Sequence, residues 1–128
     1  MRRGQTGETA KRPTRILLVE DELLVAMDLE MTLEEWGYEV AGPAATVADA
    51  LRHVRDGVDA AVLDINLGGE ESLPVAEALL AQGAPFVFLT GYADRKLPGA
   101  LQDAPRLNKP VRPEELFEAL ENVIVAQA

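Results

Sequence analysis

Short apolar segments alternate with longer segments of mixed polarity along this chain. Five apolar runs predict strands at Arg15 to Glu20, Tyr38 to Gly42, Asp59 to Leu63, Phe86 to Leu89 and Pro105 to Asn108. Within them, Ile16 to Val19 and Ala60 to Leu63 lack polar alternation, which is typical of strands covered on both faces. The pattern therefore predicts a sheet buried between two layers of helices.

The segments that follow the strands have helical periodicity. Five helices are predicted, at Glu22 to Trp36, Thr46 to Gly57, Pro74 to Gln82, Tyr92 to Asp103 and from Pro113 onward. In the first, Leu24, Met27, Met31 and either Leu33 or Glu34 recur at the spacing of an amphipathic helix. In the fourth, Pro98 and Gly99 interrupt the pattern, so we expect a short or irregular helix there.

Strands that alternate with helices pair in parallel through right-handed crossovers. The predicted fold class is therefore α/β: a flavodoxin-like three-layer sandwich with a five-stranded parallel sheet in the order 2-1-3-4-5 and five helices. At 128 residues and 48% hydrophobic, the chain can bury one ordinary core. Residues 1 to 12 are almost without apolar side chains and predict a flexible tail, which leaves residues 13 to 128 as one domain.

The chain is acidic, with a net charge of −10. Acidic domains repel phosphate backbones, so we expect no direct binding of nucleic acid. Between Ile16 and Leu51 there is no Lys or Arg. This acidic stretch is either a solvated helix face or a docking surface for a basic protein partner.

The composition also excludes several classes of protein. There is no apolar stretch of the length that a bilayer requires and no hydrophobic segment typical of a secretory signal. We therefore expect a cytoplasmic protein that does not enter a membrane. The absence of cysteine excludes disulfides, thiolate catalysis and cysteine-ligated zinc.

Polar side chains suited to phosphoryl chemistry follow four of the predicted strands. Glu20 and Asp21 close the first strand, Asp64 the third, Thr90 the fourth and Lys109 the fifth. In an open α/β sheet, ligands bind outside the carboxyl ends of the strands, so these side chains predict one site. Neighbouring carboxylates repel one another unless a divalent cation compensates them, and a site with oxygen ligands alone favours Mg²⁺.

These motifs resemble the receiver domain of bacterial two-component response regulators. The resemblance covers residues 13 to 128 and rests on Glu20-Asp21, Asp64-Ile65-Asn66, Thr90 and Lys109-Pro110. By this resemblance, Asp64 is the phosphoacceptor, and Asp21 and Asp64 bind Mg²⁺ directly. The resemblance also implies that Glu20 acts on the metal partly through water and that Asn66 offers its backbone carbonyl.

The resemblance assigns further roles to the fourth and fifth strands. Lys109 neutralises charge during phosphoryl transfer, and a cis bond is expected before Pro110. The hydroxyl of Thr90 is expected to move toward the phosphoryl group and to switch a protein-interaction surface. However, Arg106 occupies the position, three residues before Lys109, where typical receivers carry Tyr or Phe.

A narrower resemblance is to the FAT GUY subclass of receivers. It rests on Leu67-Gly68-Gly69-Glu70, Pro74-Val75-Ala76 and the segment from Pro85 to Tyr92. This subclass lacks the usual aromatic on the fifth strand, which agrees with Arg106. We hypothesise that Tyr92 covers the phosphoryl group or moves in place of that aromatic.

The predicted function is a stand-alone response regulator. Asp64 would be phosphorylated by a histidine kinase or histidine phosphotransfer protein, and the domain would act on a downstream protein partner as a monomer or a phosphorylation-dependent dimer. Such a protein is a phosphoacceptor and not a conventional enzyme. Two alternatives stay open: a non-phosphorylated interaction module with the same fold, and a phosphatase of the haloacid-dehalogenase type. The latter family carries Asp-x-Asp on its first strand, whereas Asp64-Ile65-Asn66 follows the third predicted strand here.

Overall fold

Strands and helices alternate in the computed structural model, which describes residues 12–91 and 96–126. The strands are β1 (Arg15–Val19), β2 (Glu39–Ala44), β3 (Ala60–Asp64), β4 (Phe86–Thr90) and β5 (Arg106–Asn108). The α-helices are α1 (Leu23–Glu35), α2 (Val47–Asp56), α3 (Leu73–Gln82) and α4 (Pro113–Ala126), and a 3₁₀ helix spans Gly99–Asp103.

The strands form one parallel sheet in the order β2-β1-β3-β4-β5, which confirms the predicted flavodoxin-like topology. Successive residues of each strand point to opposite faces. On one face, Leu17 and Val19 pack in a cluster with residues of α2, α3 and the 3₁₀ helix. On the other face, Ile16 and Leu18 pack in a cluster with Leu33 of α1 and residues of α4. These two clusters make the three layers.

The predicted number of helices is wrong for the described residues. They contain four α-helices, and only the 3₁₀ helix Gly99–Asp103 lies within the segment Tyr92 to Asp103 that was predicted as the fourth helix. Pro98 directly precedes the 3₁₀ helix, and proline disfavours continued helix on its amino-terminal side. Residues 92 to 95 of that segment lie outside the described residues.

Strand β2 extends beyond its predicted end at Gly42 and includes a cis bond between Gly42 and Pro43. Proline is tolerated because β2 is an edge strand, where one side of the backbone needs no partner. Gly42 has a φ of +95°, and a Cβ there would lie 2.7 Å from the backbone nitrogen of Ala44. A residue with a side chain therefore cannot replace Gly42 without movement of the backbone.

The predicted tail, residues 1 to 12, lies outside the described residues except for Arg12. The Arg12 guanidinium donates two hydrogen bonds to the Asp59 carboxylate, at 2.9 and 3.1 Å, and the backbone N–H of Arg15 donates a third at 2.7 Å. The hydrogen bond from Arg12 lowers the pKa of Asp59, against the opposing effect of partial burial. Among the described residues, no helix has the length and apolarity needed to span a bilayer.

Candidate functional site

The residues that the sequence predicts for the site lie at one edge of the sheet. Glu20 and Asp21 directly follow β1, Asp64 is the last residue of β3, Thr90 is the last residue of β4, and Lys109 directly follows β5. The strands are parallel, so their carboxyl ends meet at the same edge. Strand length and pairing thus bring together side chains that are far apart in the chain.

The three carboxylates are close enough to share one cation. Glu20, Asp21 and Asp64 each offer an oxygen, and these atoms lie within 4.8 Å of one another. Glu20 is only 2% exposed and Asp64 only 4%, whereas Asp21 is exposed to solvent. Oxygen ligands without nitrogen or sulfur suit a hard divalent cation such as Mg²⁺.

The buried side chain of Glu20 gives the most direct support for a cation site at this cluster. Its Oε2 accepts a hydrogen bond of 3.1 Å from the backbone N–H of Glu22. Its Oε1 is buried and accepts no hydrogen bond within the described part of the chain, although Lys109 Nζ lies 3.6 Å away. A buried carboxylate oxygen without a hydrogen bond is costly, and a cation bound beside it would remove that cost.

The pKa of Glu20 shows that burial and the neighbouring carboxylate disfavour its charged form. The pKa of Glu20 is raised to about 7, chiefly by burial, and the charge of the neighbouring Asp64 carboxylate contributes to the rise. The hydrogen bond from the Glu22 backbone and the Lys109 ammonium both lower the pKa, but they offset only part of the effect of burial. The carboxylates are therefore incompletely compensated by the protein alone.

Lys109 is the cation that faces the carboxylates. Its Nζ lies 2.6 Å from Asp64 Oδ2, and the Lys109-Pro110 bond is cis, as the resemblance implied. Burial lowers the pKa of Lys109, but the hydrogen bond and charge of Asp64, together with the charge of Glu20, outweigh burial and raise the pKa overall. Lys109 is therefore held in its charged form beside Asp64.

Backbone groups complete the surroundings of Asp64. The N–H of Asn66 donates to Asp64 Oδ1 at 3.2 Å, so each Asp64 oxygen has a donor of its own. The N–H of Lys109 donates to the carbonyl of Thr90 at 2.9 Å, which ties the ends of β4 and β5 together. Thr90 itself is only 5% exposed.

Two further sequence predictions concern Arg106 and Tyr92. Arg106 is the first residue of β5 and pairs in register with Phe88 of β4, and no aromatic side chain stands at that position. Tyr92 lies outside the described residues, so its hypothesised role stays a prediction. The FAT GUY subclass also stays a prediction, because it rests on sequence motifs alone.

Sequence reasoning missed the role of Gly68. Gly68 has a φ of +69°, and a Cβ at this position would lie 2.8 Å from Asp21 Oδ2. The backbone after β3 therefore lies directly against one of the three carboxylates. The Gly68-Gly69 pair so close to Asp64 was the signal in the sequence, but only the structure shows which side chain it approaches.

A groove of about 590 Å³ lies beside the site, between α1 and the segment after β5. Leu24 and Asp28 of α1 line one side, and Lys109 and Pro110 line the other. Most of the apolar residues predicted to recur along α1 are exposed to solvent, whereas Leu33 is buried. The exposed fractions are 72% for Leu23, 79% for Leu24, 49% for Met27 and 61% for Met31.

Comparison with known proteins agrees with this geometry. The family model described as the response regulator receiver domain matches residues 16–121. The solution structure of SdrG from Sphingomonas melonis Fr1 is 47% identical, with a TM-score of 0.76, over 90% of this chain and 99% of that chain.

Two curated regulators are similar over most of this chain. The transcriptional regulatory protein PdtaR of Mycobacterium tuberculosis is 31% identical over 121 residues, which cover 91% of this chain and 59% of PdtaR. The phyllosphere-induced regulator PhyR of Methylorubrum extorquens is 31% identical over 123 residues, which cover 92% of this chain and 46% of PhyR. The chain thus spans about half the length of these curated relatives.

Proposed function

This chain belongs to the response regulator receiver domain family, and we propose that it accepts a phosphoryl group on Asp64 in a Mg²⁺-dependent reaction. The observation that carries the proposal is the position of Lys109 Nζ, 2.6 Å from Asp64 Oδ2, at the edge of a cluster of three carboxylates. A carboxylate with a cation on one side and metal-binding oxygens on the other is suited to phosphoryl transfer, which requires positioning and charge neutralisation.

Each residue of the site has a distinct part in this reaction. Asp21, Asp64 and the backbone carbonyl of Asn66 would bind Mg²⁺ directly, and Glu20 would act partly through water. When bound, Mg²⁺ would supply positive charge that neutralises the phosphoryl oxygens. The phosphorus–nitrogen bond of a phosphohistidine donor breaks as a phosphorus–oxygen bond to Asp64 forms. Lys109 then has a phosphoryl oxygen as its partner in place of the free carboxylate.

Thr90 is proposed to link phosphorylation to the protein surface. Its hydroxyl lies at the end of β4, the strand next to β3 in the sheet, so it reaches the same edge as Asp64. A phosphoryl group offers strong acceptor oxygens, and a hydroxyl that turns toward them moves the chain that follows Thr90. Because Arg106 stands in place of an aromatic, this movement needs a partner other than the side chain on β5.

The surface of α1 supports a protein as the phosphoryl donor. The groove between α1 and Lys109 opens beside the site, and α1 exposes Leu24 and Met27 next to acidic residues such as Asp28. A histidine kinase or phosphotransfer protein with an apolar and basic face would bury these side chains while presenting its histidine to Asp64. The phosphorylated domain then acts on a downstream protein partner, as a monomer or as a phosphorylation-dependent dimer.

The proposed reaction is tested by intact mass after incubation with acetyl phosphate and Mg²⁺. We expect a gain of one phosphoryl group in the wild-type protein, no gain in Asp64→Asn, and no gain when a chelator removes Mg²⁺. Asp103→Asn changes an exposed aspartate near Pro85 and Pro105, at the opposite end of β4 and β5 from the site, and should gain the group as the wild type does.

Other outcomes contradict the proposal in different ways. A gain that persists in Asp64→Asn would place the phosphoryl group on another residue. If neither acetyl phosphate nor a phosphorylated histidine phosphotransfer protein labels the wild type, the chain is a non-phosphorylated interaction module. Continuous release of phosphate from simple phosphomonoesters would instead indicate a phosphatase, and we expect none.

A further inference from the structure

The connection between β3 and α3 is a closed loop with its own hydrogen bonds. In this β3–α3 loop, residues 65 to 72, Asn66 and Glu71 form an antiparallel bridge. The N–H of Ser72 donates to the carbonyl of Ile65 at 2.9 Å, which joins the two ends of the loop. The loop therefore has a defined shape, with its two ends held close together.

The tip of the β3–α3 loop lies against the metal-binding cluster. The N–H of Leu67 donates to the carbonyl of Glu70 at 2.8 Å, and this turn contains Gly68. A Cβ on Gly68 would lie 2.8 Å from Asp21 Oδ2, so the loop backbone limits the space open to the Asp21 carboxylate. Asp21 is otherwise exposed to solvent, and the loop backbone restricts its side chain on one side.

The same turn is attached to helix α2 by the side chain of Glu70. Glu70 Oε2 accepts a hydrogen bond of 3.1 Å from the backbone N–H of Val47, the first residue of α2. Thr46 caps this helix by accepting from the N–H of Asp49, also at 3.1 Å. Glu70 thus provides an acceptor for one of the amino-terminal N–H groups of α2, which have no partner within the helix.

The segment before α2 also accepts a hydrogen bond from the backbone of Glu20. The N–H of Glu20 donates to the carbonyl of Ala44, the last residue of β2, at 3.0 Å. Only Ala45 and Thr46 separate Ala44 from the helix. The connection from β2 to α2 is therefore a common anchor for the backbone at Glu20 and, through Glu70, for the loop beside Asp21.

We propose that Glu70 is a positioning residue for the carboxylate of Asp21. By anchoring the β3–α3 loop to the amino-terminal end of α2, Glu70 keeps the backbone of Gly68 against Asp21 and holds that carboxylate toward Glu20 and Asp64. The consequence for metal affinity rests on the proposed function, since it requires Mg²⁺ at this cluster. The proposed positioning of Asp21 concerns the metal-free protein and can be tested without Mg²⁺.

The test uses three variants of the whole chain: Glu70→Ala, Glu70→Gln and Glu77→Ala. Glutamine keeps an oxygen that accepts from Val47 but removes the charge, whereas alanine removes both. Glu77→Ala removes the same charge from an exposed position of α3. Together the variants separate the loss of the anchor from the loss of negative charge.

Two readouts are required, the first without any metal. By NMR in a chelator, Glu70→Ala should increase hydrogen exchange at the amides of Val47 and Leu67 and change the carboxyl ¹³C resonance of Asp21. By calorimetry, Glu70→Ala should weaken Mg²⁺ binding about tenfold, the low end for residues that support a metal ligand. Glu70→Gln and Glu77→Ala should each stay within about twofold of the wild type, since general charge effects at an exposed site are small.

Equal losses of affinity in Glu70→Ala and Glu70→Gln would overturn the proposal, because charge and not the anchor would then be the cause. An unchanged Asp21 resonance in Glu70→Ala would also overturn it. If the wild type binds no Mg²⁺ while the Asp21 resonance still responds to Glu70→Ala, the proposed function fails and the positioning role stands. The two failures are thus distinguishable.

Discussion

The middle of the sheet and its carboxyl end belong to the same strands, but they bury opposite kinds of side chain. Ile16 to Val19 of β1 and Ala60 to Leu63 of β3 are fully buried and apolar. One residue further along each strand, Glu20 and Asp64 are almost as well buried but ionisable. Apolar burial contributes to folding, whereas burial of carboxylates opposes it unless a cation compensates them.

This difference explains why the carboxyl end is suited to a reaction. Burial of the apolar strand interiors stabilises the fold, and this stabilisation offsets the repulsion between the carboxylates at the edge of the sheet. Lys109 provides one positive charge to Asp64 and Glu20, and the raised pKa of Glu20 indicates that this compensation is incomplete. The site therefore gains from a bound cation, and the stability of the domain should depend on metal and on pH.

The largest expected change comes from the middle of the sheet. Leu17→Ala removes a fully buried side chain and should lower the free energy of unfolding by about 2 to 5 kcal/mol, since a cavity remains. Leu24→Ala is the matched control, because Leu24 is 79% exposed and should change stability by less than about 0.5 kcal/mol. Urea denaturation measures both. Equal losses would contradict the assigned burial.

A smaller loss is expected at the carboxyl end from Lys109→Met. Without the ammonium, Asp64 and Glu20 lose the ion pairs that Lys109 makes with them, so the metal-free protein should lose about 1 to 3 kcal/mol at pH 7.5. Lys96→Met, at an exposed position, is the control. Urea denaturation in a chelator measures the loss. A variant as stable as the wild type would show that Lys109 does not compensate these carboxylates.

Unlike the two variants above, Glu20→Gln is expected to increase the stability of the metal-free protein. Because the pKa of Glu20 is raised to about 7 in the folded protein, the folded state binds a proton that the unfolded state has released, and stability falls as pH rises from about 4.5 to about 7. In a chelator at pH 8, Glu20→Gln should therefore stabilise the protein by about 1 to 2 kcal/mol, since one pKa unit corresponds to about 1.4 kcal/mol.

Two measurements check this interpretation of Glu20. Thermal unfolding at pH 5 should show little difference between Glu20→Gln and the wild type, because the side chain is neutral in both. The exposed Glu34→Gln should show no pH-dependent gain. A Glu20→Gln variant that is less stable than the wild type at pH 8 would mean that the carboxylate is already well compensated without metal.

The smallest change is expected at the opposite end of the sheet, from Asp59→Asn. Arg12 is largely exposed and Asp59 is partly exposed, so added salt should screen the contribution of this ion pair. Because the pKa of Asp59 is lowered, the contribution is present above the pKa of the unfolded state and is lost as pH falls through the folded pKa. Urea midpoints at low and high salt measure it. A loss that does not depend on salt would contradict an ionic origin.

The order of elements and the residues at the strand ends were predictable from the sequence. Apolar runs without polar alternation, such as Ile16 to Val19, indicate strands covered on both faces, and the polar residue that follows each run is then near the carboxyl edge. The weak point was the segment before β5, where Pro98 and Gly99 leave only a short 3₁₀ helix. The roles of Asp64, Thr90, Lys109 and the metal ligands stay predictions until the mass and binding measurements are made.

Periodicity misled most in α1. Leu24, Met27, Met31 and Leu33 recur at helical spacing, but only Leu33 is buried, together with Ala26, and the other three are exposed. Spacing shows which residues share a helix face but not which face meets the sheet. That choice depends on how the whole helix packs, which the local sequence does not encode.

By itself, the sequence determined the fold class, the order of strands and helices, and the set of carboxylates, hydroxyl and lysine at one edge, because these follow from local periodicity and from the rule that parallel strands end together. Only the tertiary structure decided that Gly68 lies against Asp21, that Glu70 accepts a hydrogen bond from α2, and that α1 exposes Leu24, Met27 and Met31. These contacts join residues from separate elements, and packing of the complete domain sets their distances.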